Sequence, residues 1–140
     1  MDNYEELEVL GRGAFGTVTL CKSRSEKERL VVLKEIEAQD TPEVTEAEVK
    51  VASSFSHPLI VRFFGQFSHH GNVFIIMEYM AGGTLWNFLG NRRGQLLSQN
   101  EVLHYFAQLV VALDHIHSKK VLHRDIKSKN ILLSADFRVA

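Results

Sequence analysis

Along the first third of the chain, apolar and polar residues alternate. Leu7 and Val9 do so, and Val18 and Leu20 do so again after a cluster of glycines. Leu30 to Ile36 has a dense apolar centre at Val31, Val32 and Leu33. A period of two places alternate side chains on one face, which predicts three strands. The wholly polar stretch Lys22 to Arg29 predicts the turn between the second and third. Thr41-Pro42-Glu43 then predicts a helix start, because a hydroxyl can cap it, proline presets the first helical φ, and an acid suits the positive end. Val44, Ala47, Val51 and Phe55 follow at helical spacing, with an end expected near His57-Pro58. Ile60 to Gln66 and Val73 to Glu78 predict two further strands, and His69-His70-Gly71-Asn72 the turn between them.

Ala81-Gly82-Gly83 breaks the pattern and predicts a linker between two lobes. Thr84 can cap a short helix through Leu89, and Asn91 to Gly94 reads as a basic loop. Ser98-Gln99-Asn100-Glu101 is a capping-box sequence. Behind it Val102, Leu103, Phe106, Leu109, Val110, Leu113 and Ile116 predict a long helix, one face apolar, to about Ser118. Ile131-Leu132-Leu133 predicts a short strand, Ser134 to Phe137 a turn, and Arg138 to Ala140 the start of another strand.

Composition narrows the classes. The 140 residues fit one domain, are 45% hydrophobic and 24% charged, and carry a formal net charge of -1. No basic field points to nucleic acid. Cys21 is the only cysteine, so no disulfide can form within the chain, which fits a reducing compartment. The start, Met-Asp-Asn-Tyr-Glu-Glu, is acidic and has no apolar centre, so no secretory signal is expected. No apolar run approaches the roughly 20 residues that span a bilayer.

Two segments carry candidate phosphate chemistry. In His123-Arg124-Asp125-Ile126-Lys127-Ser128-Lys129-Asn130, Asp125 could accept a hydroxyl proton and Lys127 could neutralise charge on a transferred phosphoryl group. Asn130 offers a neutral oxygen to a hard cation such as magnesium. A solvated polar loop is the plain alternative. Gly11-Arg12-Gly13-Ala14-Phe15-Gly16-Thr17-Val18 is the second segment, since glycines let backbone amides approach an anion. A simple strand turn competes with it. Thr17-Val18-Thr19-Leu20 alternates as a strand, whereas a dinucleotide fold needs a helix there. The segment also lacks the Gly-Lys-Ser/Thr ending of a P-loop.

Lys34 lies in the most apolar strand and is costly to bury unpaired, although it could snorkel to water. Glu48 borders the apolar stripe of the first helix, whereas Glu46 points away from it, so Glu48 is the favoured partner. His57, His104, His115, His117 and His123 show no zinc-type spacing and read as structural. Trp86 and the phenylalanines read as core.

The glycine loop, Val31-Val32-Leu33-Lys34, a helix glutamate, His123-Arg124-Asp125 and Asn130 occur in an order that resembles the first half of a protein kinase domain, from Tyr4 to Ala140. Val32 to Ile36, Met77 to Leu85 and His123 to Asn130 are most similar to the NIMA-related serine/threonine kinases. The resemblance implies an α+β fold. Residues 1–80 would form an N-lobe, an antiparallel five-stranded sheet plus one helix, and residues 81–140 an incomplete helical C-lobe. It implies ATP-dependent phosphoryl transfer to protein serine or threonine, with ATP and Mg2+ as cofactors and no nucleic-acid partner. By the same resemblance Leu10, Gly11, Arg12, Gly13, Ala14, Phe15, Gly16, Thr17 and Val18 would cover ATP. Lys34 would hold the α- and β-phosphates and pair with Glu48. Glu78 and Met80 would offer backbone groups to adenine, with Met77 behind it. Val18, Val32 and Leu132 would sandwich the base. Asp125 would be the catalytic base and Asn130 a magnesium ligand. Lys127 marks serine/threonine specificity, and Arg124 implies control by a phosphorylated activation loop. The implied location is cytoplasmic, with cytoskeleton, cilium and centrosome as family sites.

The chain departs from the family pattern in places. Val32 replaces the usual alanine, Ala52 replaces a larger apolar residue, and Lys34 and Glu48 lie closer in sequence than in most kinases. Asp136-Phe137-Arg138 is too near Asn130 to be the Asp-Phe-Gly motif and has arginine for glycine, so it reads as a turn. The Asp-Phe-Gly motif and activation loop are expected beyond Ala140, and on that expectation this chain by itself is inactive. A non-catalytic nucleotide-binding or partner-binding role is the alternative.

Overall fold

The computed structural model describes residues 3–13, 16–24, 28–36 and 49–140. The chain forms two compact units, one of Met1–Phe55 with Arg62–Tyr79, the other of Ser56–Val61 with Met80–Ala140.

The first unit is a five-stranded antiparallel sheet in the order β1-β2-β3-β5-β4. Its strands are β1 (Tyr4–Gly13), β2 (Gly16–Ser23), β3 (Leu30–Ile36), β4 (Phe63–His69) and β5 (Asn72–Glu78). β3 has the bounds that its apolar run predicts, and it lies in the middle of the sheet. Val31, Val32, Leu33 and Ile36 are all buried there. Val31 and Leu33 join Cys21 and Phe74 in one core cluster, with Tyr4, Phe64, Phe67 and Ile76 against it. β1 is an edge strand with two register shifts along β2. Its alternation is real, yet Leu7, Val9 and Leu10 stay exposed. An edge strand has one neighbour instead of two, and bulges turn its side chains out of register with the face.

β4 starts and ends three residues later than the apolar run Ile60 to Gln66 predicts. The hairpin sets this register. His69 pairs with Asn72 across a two-residue turn, His70-Gly71, with φ of 49° and 83°. Two left-handed residues make a turn whose twist matches the strands, so pairing counts back from the turn and outweighs the apolar run. The first helix is seen over residues 49–53. It ends before His57-Pro58 because Ser53 and Ser54 turn their hydroxyls onto the Lys50 and Val51 carbonyls at 3.0 and 2.7 Å. Its predicted start at Thr41, and Glu46 and Glu48, lie outside the described residues.

In the second unit β6 (Gly83–Thr84) pairs with β7 (Leu132–Leu133). A short helix, Leu85–Asn91, follows the Thr84 cap, whose hydroxyl accepts from the Asn87 N–H at 3.1 Å. The long helix, Gln99–Ser118, begins with the predicted capping box. Ser98 N–H donates to the Glu101 carboxylate at 2.7 Å, and Glu101 N–H donates to the Ser98 hydroxyl at 3.3 Å. Those bonds to Ser98, then Arg92, hold the Glu101 carboxyl below its usual range. Arg92 also donates to the Leu96 carbonyl at 3.0 Å, which fastens the loop ahead of the helix.

The long helix buries only part of the predicted face, since Ile116 is buried and Leu109 and Leu113 are half-buried. Tyr105, Ala112 and Ile116 are buried. Tyr105 packs with Ile131, Leu133 and Val139, and Leu109 supports this cluster. Val102, Leu103, Phe106 and Val110 are exposed. The sequence carries two apolar stripes, and periodicity alone cannot say which one meets β7. The turn after β7 is as predicted: Phe137 N–H donates to the Ser134 carbonyl at 2.9 Å, and Leu132 and Ala140 exchange backbone bonds.

Candidate active site

The polar loop after the long helix is held by the short helix and by β7. A helix leaves its first N–H groups without intrahelical partners. Here Leu85 N–H donates to the Ile131 carbonyl at 2.8 Å, and Trp86 N–H to the Ser128 carbonyl at 3.0 Å. Asn87 N–H is taken by Thr84. The end of the loop is thereby fixed by donors that the short helix must satisfy in any case. Gly82 brings its backbone against β7, with N–H to the Leu133 carbonyl at 2.8 Å. A Cβ on Gly82 would lie 2.5 Å from the Ser134 carbonyl oxygen, so only glycine fits that approach.

Within the loop, Asp125, Lys127 and Asn130 converge. Lys127 Nζ donates to Asp125 Oδ2 at 2.8 Å, and Asn130 Nδ2 donates to the same oxygen at 2.7 Å. Asn130 Nδ2 also reaches the Asp125 backbone carbonyl at 2.9 Å. Both of its partners are acceptors, so the amide nitrogen must face Asp125 and the amide oxygen is turned from it. The Asn130 N–H closes the turn on the Lys127 carbonyl at 2.8 Å. Arg124 enters the loop with φ of 65°, a left-handed backbone that non-glycine residues rarely adopt. Asp125 N–H donates to His123 Nδ1 at 3.3 Å. The bond from Lys127, then that from Asn130, hold the Asp125 carboxyl below its ordinary range. It is therefore ionised at neutral pH, with Oδ2 doubly bonded and Oδ1 without a protein donor among the described residues.

The residues predicted for nucleotide binding fall in several places. Leu10, Gly11, Arg12 and Gly13 end β1, and Gly16, Thr17 and Val18 begin β2, with Gly13 paired to Gly16. Ala14 and Phe15, between them, lie outside the described residues. Gly16 has φ of 103°, and a Cβ there would overlap the Glu35 carbonyl. Val18 pairs with Lys34, and Leu20 with Val32. Directly paired residues share a face, so Val18, Val32 and Lys34 lie on one side of the sheet. Met77 joins that side through its pairing with Val32. Glu78 N–H is taken by the Arg62 carbonyl at 2.9 Å. The Met80 carbonyl accepts from Gly83 N–H at 3.0 Å, and Leu132 lies in β7.

Trp86 corrects its expected place in the core. It is 56% exposed, and Lys129 Nζ stands over its ring, 5.2 Å from the centroid. The short helix buries its stripe through Leu85 and Phe88, which pack against the Tyr105 cluster. Trp86, one residue after Leu85, is rotated about 100° off that stripe. That spacing was readable in the sequence, but the pairing with Lys129 was not. Among the described residues there is no cluster of three or more His, Cys, Asp or Glu that could hold a metal. His57 and His115 stack at 4.8 Å between centroids.

This sheet and this loop are the parts of a protein kinase domain, and the family profile of that domain matches residues 4–140. The chain belongs to the protein kinase family. Its relatives include NIMA-related kinases. It is 42% identical over 140 residues to the serine/threonine-protein kinase Nek5 of Mus musculus, covering 100% of this chain and 22% of the relative. To Nek8 of Danio rerio it is 42% identical over 137 residues, covering 95% and 20% respectively. To nekl-2 of Caenorhabditis elegans it is 35% identical over 146 residues, covering 96% and 41%. The chain thus spans about a fifth of the length of the first two. No helix among the described residues is long and apolar enough to cross a membrane.

Proposed function

We propose that this chain carries nucleotide-binding and catalytic-loop elements of a serine/threonine protein kinase that transfers phosphoryl groups from ATP with Mg2+. The observation that carries the reading is the convergence of Lys127 and Asn130 on one oxygen of Asp125. Asp125 Oδ1 accepts the hydrogen of a serine or threonine hydroxyl and so aims its oxygen. Its low pKa makes it a weak base in the ground state, so it orients first and takes the proton late, as the oxygen becomes acidic. Lys127 is placed to follow the charge that grows on the transferred group.

The residues fit the cofactors. Val18 and Val32 give an apolar surface for a base, and Lys34 on the same face gives a cation for phosphates. The outward Asn130 oxygen suits a hard cation that keeps most of its waters and phosphate ligands, which is how Mg2+ binds without an all-protein cage. Asn130 would help to hold Mg2+, which when bound would supply charge stabilisation for the phosphates. Leu10 to Val18, Glu78, Met80 and Leu132 are the further residues that the family resemblance assigns to nucleotide binding. Glu48, outside the described residues, is the proposed partner of Lys34. Residues 1–80 act as the N-lobe and residues 81–140 as the start of the C-lobe, and the protein works in the cytoplasm or on cytoskeletal structures.

Binding of Mg-ATP to the purified chain tests this. A ligand at one hundred times its Kd stabilises the folded state by about 2.7 kcal/mol, visible as a raised unfolding temperature. Lys34→Met should remove most of that rise, and Asn130→Ala its dependence on Mg2+. Absence of any rise with the natural chain would refute the reading.

A further inference from the structure

We propose that Lys129, held against Trp86, forms an anion-recognising subsite that selects protein segments with an acidic residue beside the acceptor hydroxyl. The inference rests on the proposed kinase reading and names its substrate class.

Three cations, Arg124, Lys127 and Lys129, stand among residues 121–130 against one carboxylate, Asp125. Lys127 is neutralised by Asp125 at 2.8 Å. Lys129 meets no carboxylate among the described residues and instead rests 5.2 Å from the indole centroid. That contact leaves its charge without a carboxylate partner among the described residues and favours one place for it. Lysine usually loses much rotamer freedom on pairing, and an ammonium already held by a ring has less to lose. The indole is carried beside this loop because the Trp86 backbone N–H is bonded to the carbonyl of Ser128, the residue just before Lys129. Both side chains are exposed, and the same short turn carries Asp125, Lys127 and Asn130. A peptide that brings a hydroxyl to Asp125 therefore passes a positioned cation with an apolar wall. An acidic residue there finds a partner, and an arginine or lysine meets like charge, so the subsite selects and rejects at once.

The test uses the full 140-residue chain with Mg-ATP and two labelled peptides. Each has one serine, flanked by glutamates in one and arginines in the other. Fluorescence anisotropy should show the acidic peptide binding roughly two- to fivefold tighter, as for an exposed ion pair, with the difference shrinking as salt is added. Lys129→Glu should invert the preference. Trp86→Leu, at an exposed site, should weaken it while the lysine remains. Equal affinities, no binding of either peptide, or an unchanged preference in Lys129→Glu overturns the subsite while Mg-ATP binding leaves the proposed function standing. Loss of Mg-ATP binding in the natural chain overturns both.

Discussion

Asn130 holds Asp125 twice with one amide nitrogen, at 2.7 Å to the carboxylate and 2.9 Å to the backbone carbonyl. One side chain thereby fixes the rotamer of the acid and the curve of the loop that presents it. Lys127 adds a third bond, and the carboxylate is left with one oxygen free of protein donors among the described residues.

These bonds favour the ionised acid. The Asp125 pKa is lowered, first by Lys127 and then by Asn130. A lowered folded-state pKa adds stability above the unfolded value, about 3.9, and that contribution is lost as pH falls through the folded value. Asn130→Ala should move the Asp125 carboxyl upward in a carbon-detected NMR titration, and Lys127→Met should do so too. An unmoved titration would mean that the bonds do not persist in solution.

Gly16 and Gly11 should respond differently to alanine. At Gly16 the backbone is left-handed and the added Cβ would overlap the Glu35 carbonyl. Gly11 has nothing within 4 Å of an added Cβ. Gly16→Ala should lower stability by more than about 1 kcal/mol, whereas Gly11→Ala should change it little. Thermal unfolding of the two variants compares them directly.

Leu133 and Phe106 offer a second contrast. Leu133 has 0% of its surface exposed and Phe106 has 62%. Leu133→Ala should cost about 2–5 kcal/mol through lost packing and a cavity. Phe106→Ala should stay within about 0.5 kcal/mol. Urea unfolding measures both, and a large loss at Phe106 would mean that the outward stripe is covered in solution.

Cys21 should be inert in the folded chain. It has 0% of its surface exposed, and burial, then the charge of Glu6, push its thiol up to about 11. The thiolate is the reactive form, so a thiol reagent at pH 8 should label the native chain very slowly and the urea-unfolded chain at once. Fast native labelling would show that β2 opens.

Much of the site was readable because its chemistry is local. Asp125, Lys127 and Asn130 meet within six residues, and their spacing alone placed them in one loop. The Ser98 capping box, the Thr84 cap and the bounds of β3 were readable for the same reason, since each depends on neighbours in sequence. Trp86 was misread because being large and apolar says nothing about which way a helix turns it.

What the sequence by itself determined is the set of short-range choices: strand or helix, where a helix is capped, and which residue types share the polar loop. Only the tertiary structure decided which of two apolar stripes on the long helix meets β7, that β1 is an exposed edge, and that the His70-Gly71 turn shifts β4 by three residues. It also set Lys129 on Trp86. Periodicity offers a face for burial, but burial needs a partner. The partner here arrives from residues far along the chain, through strand register and backbone bonds that no local window contains.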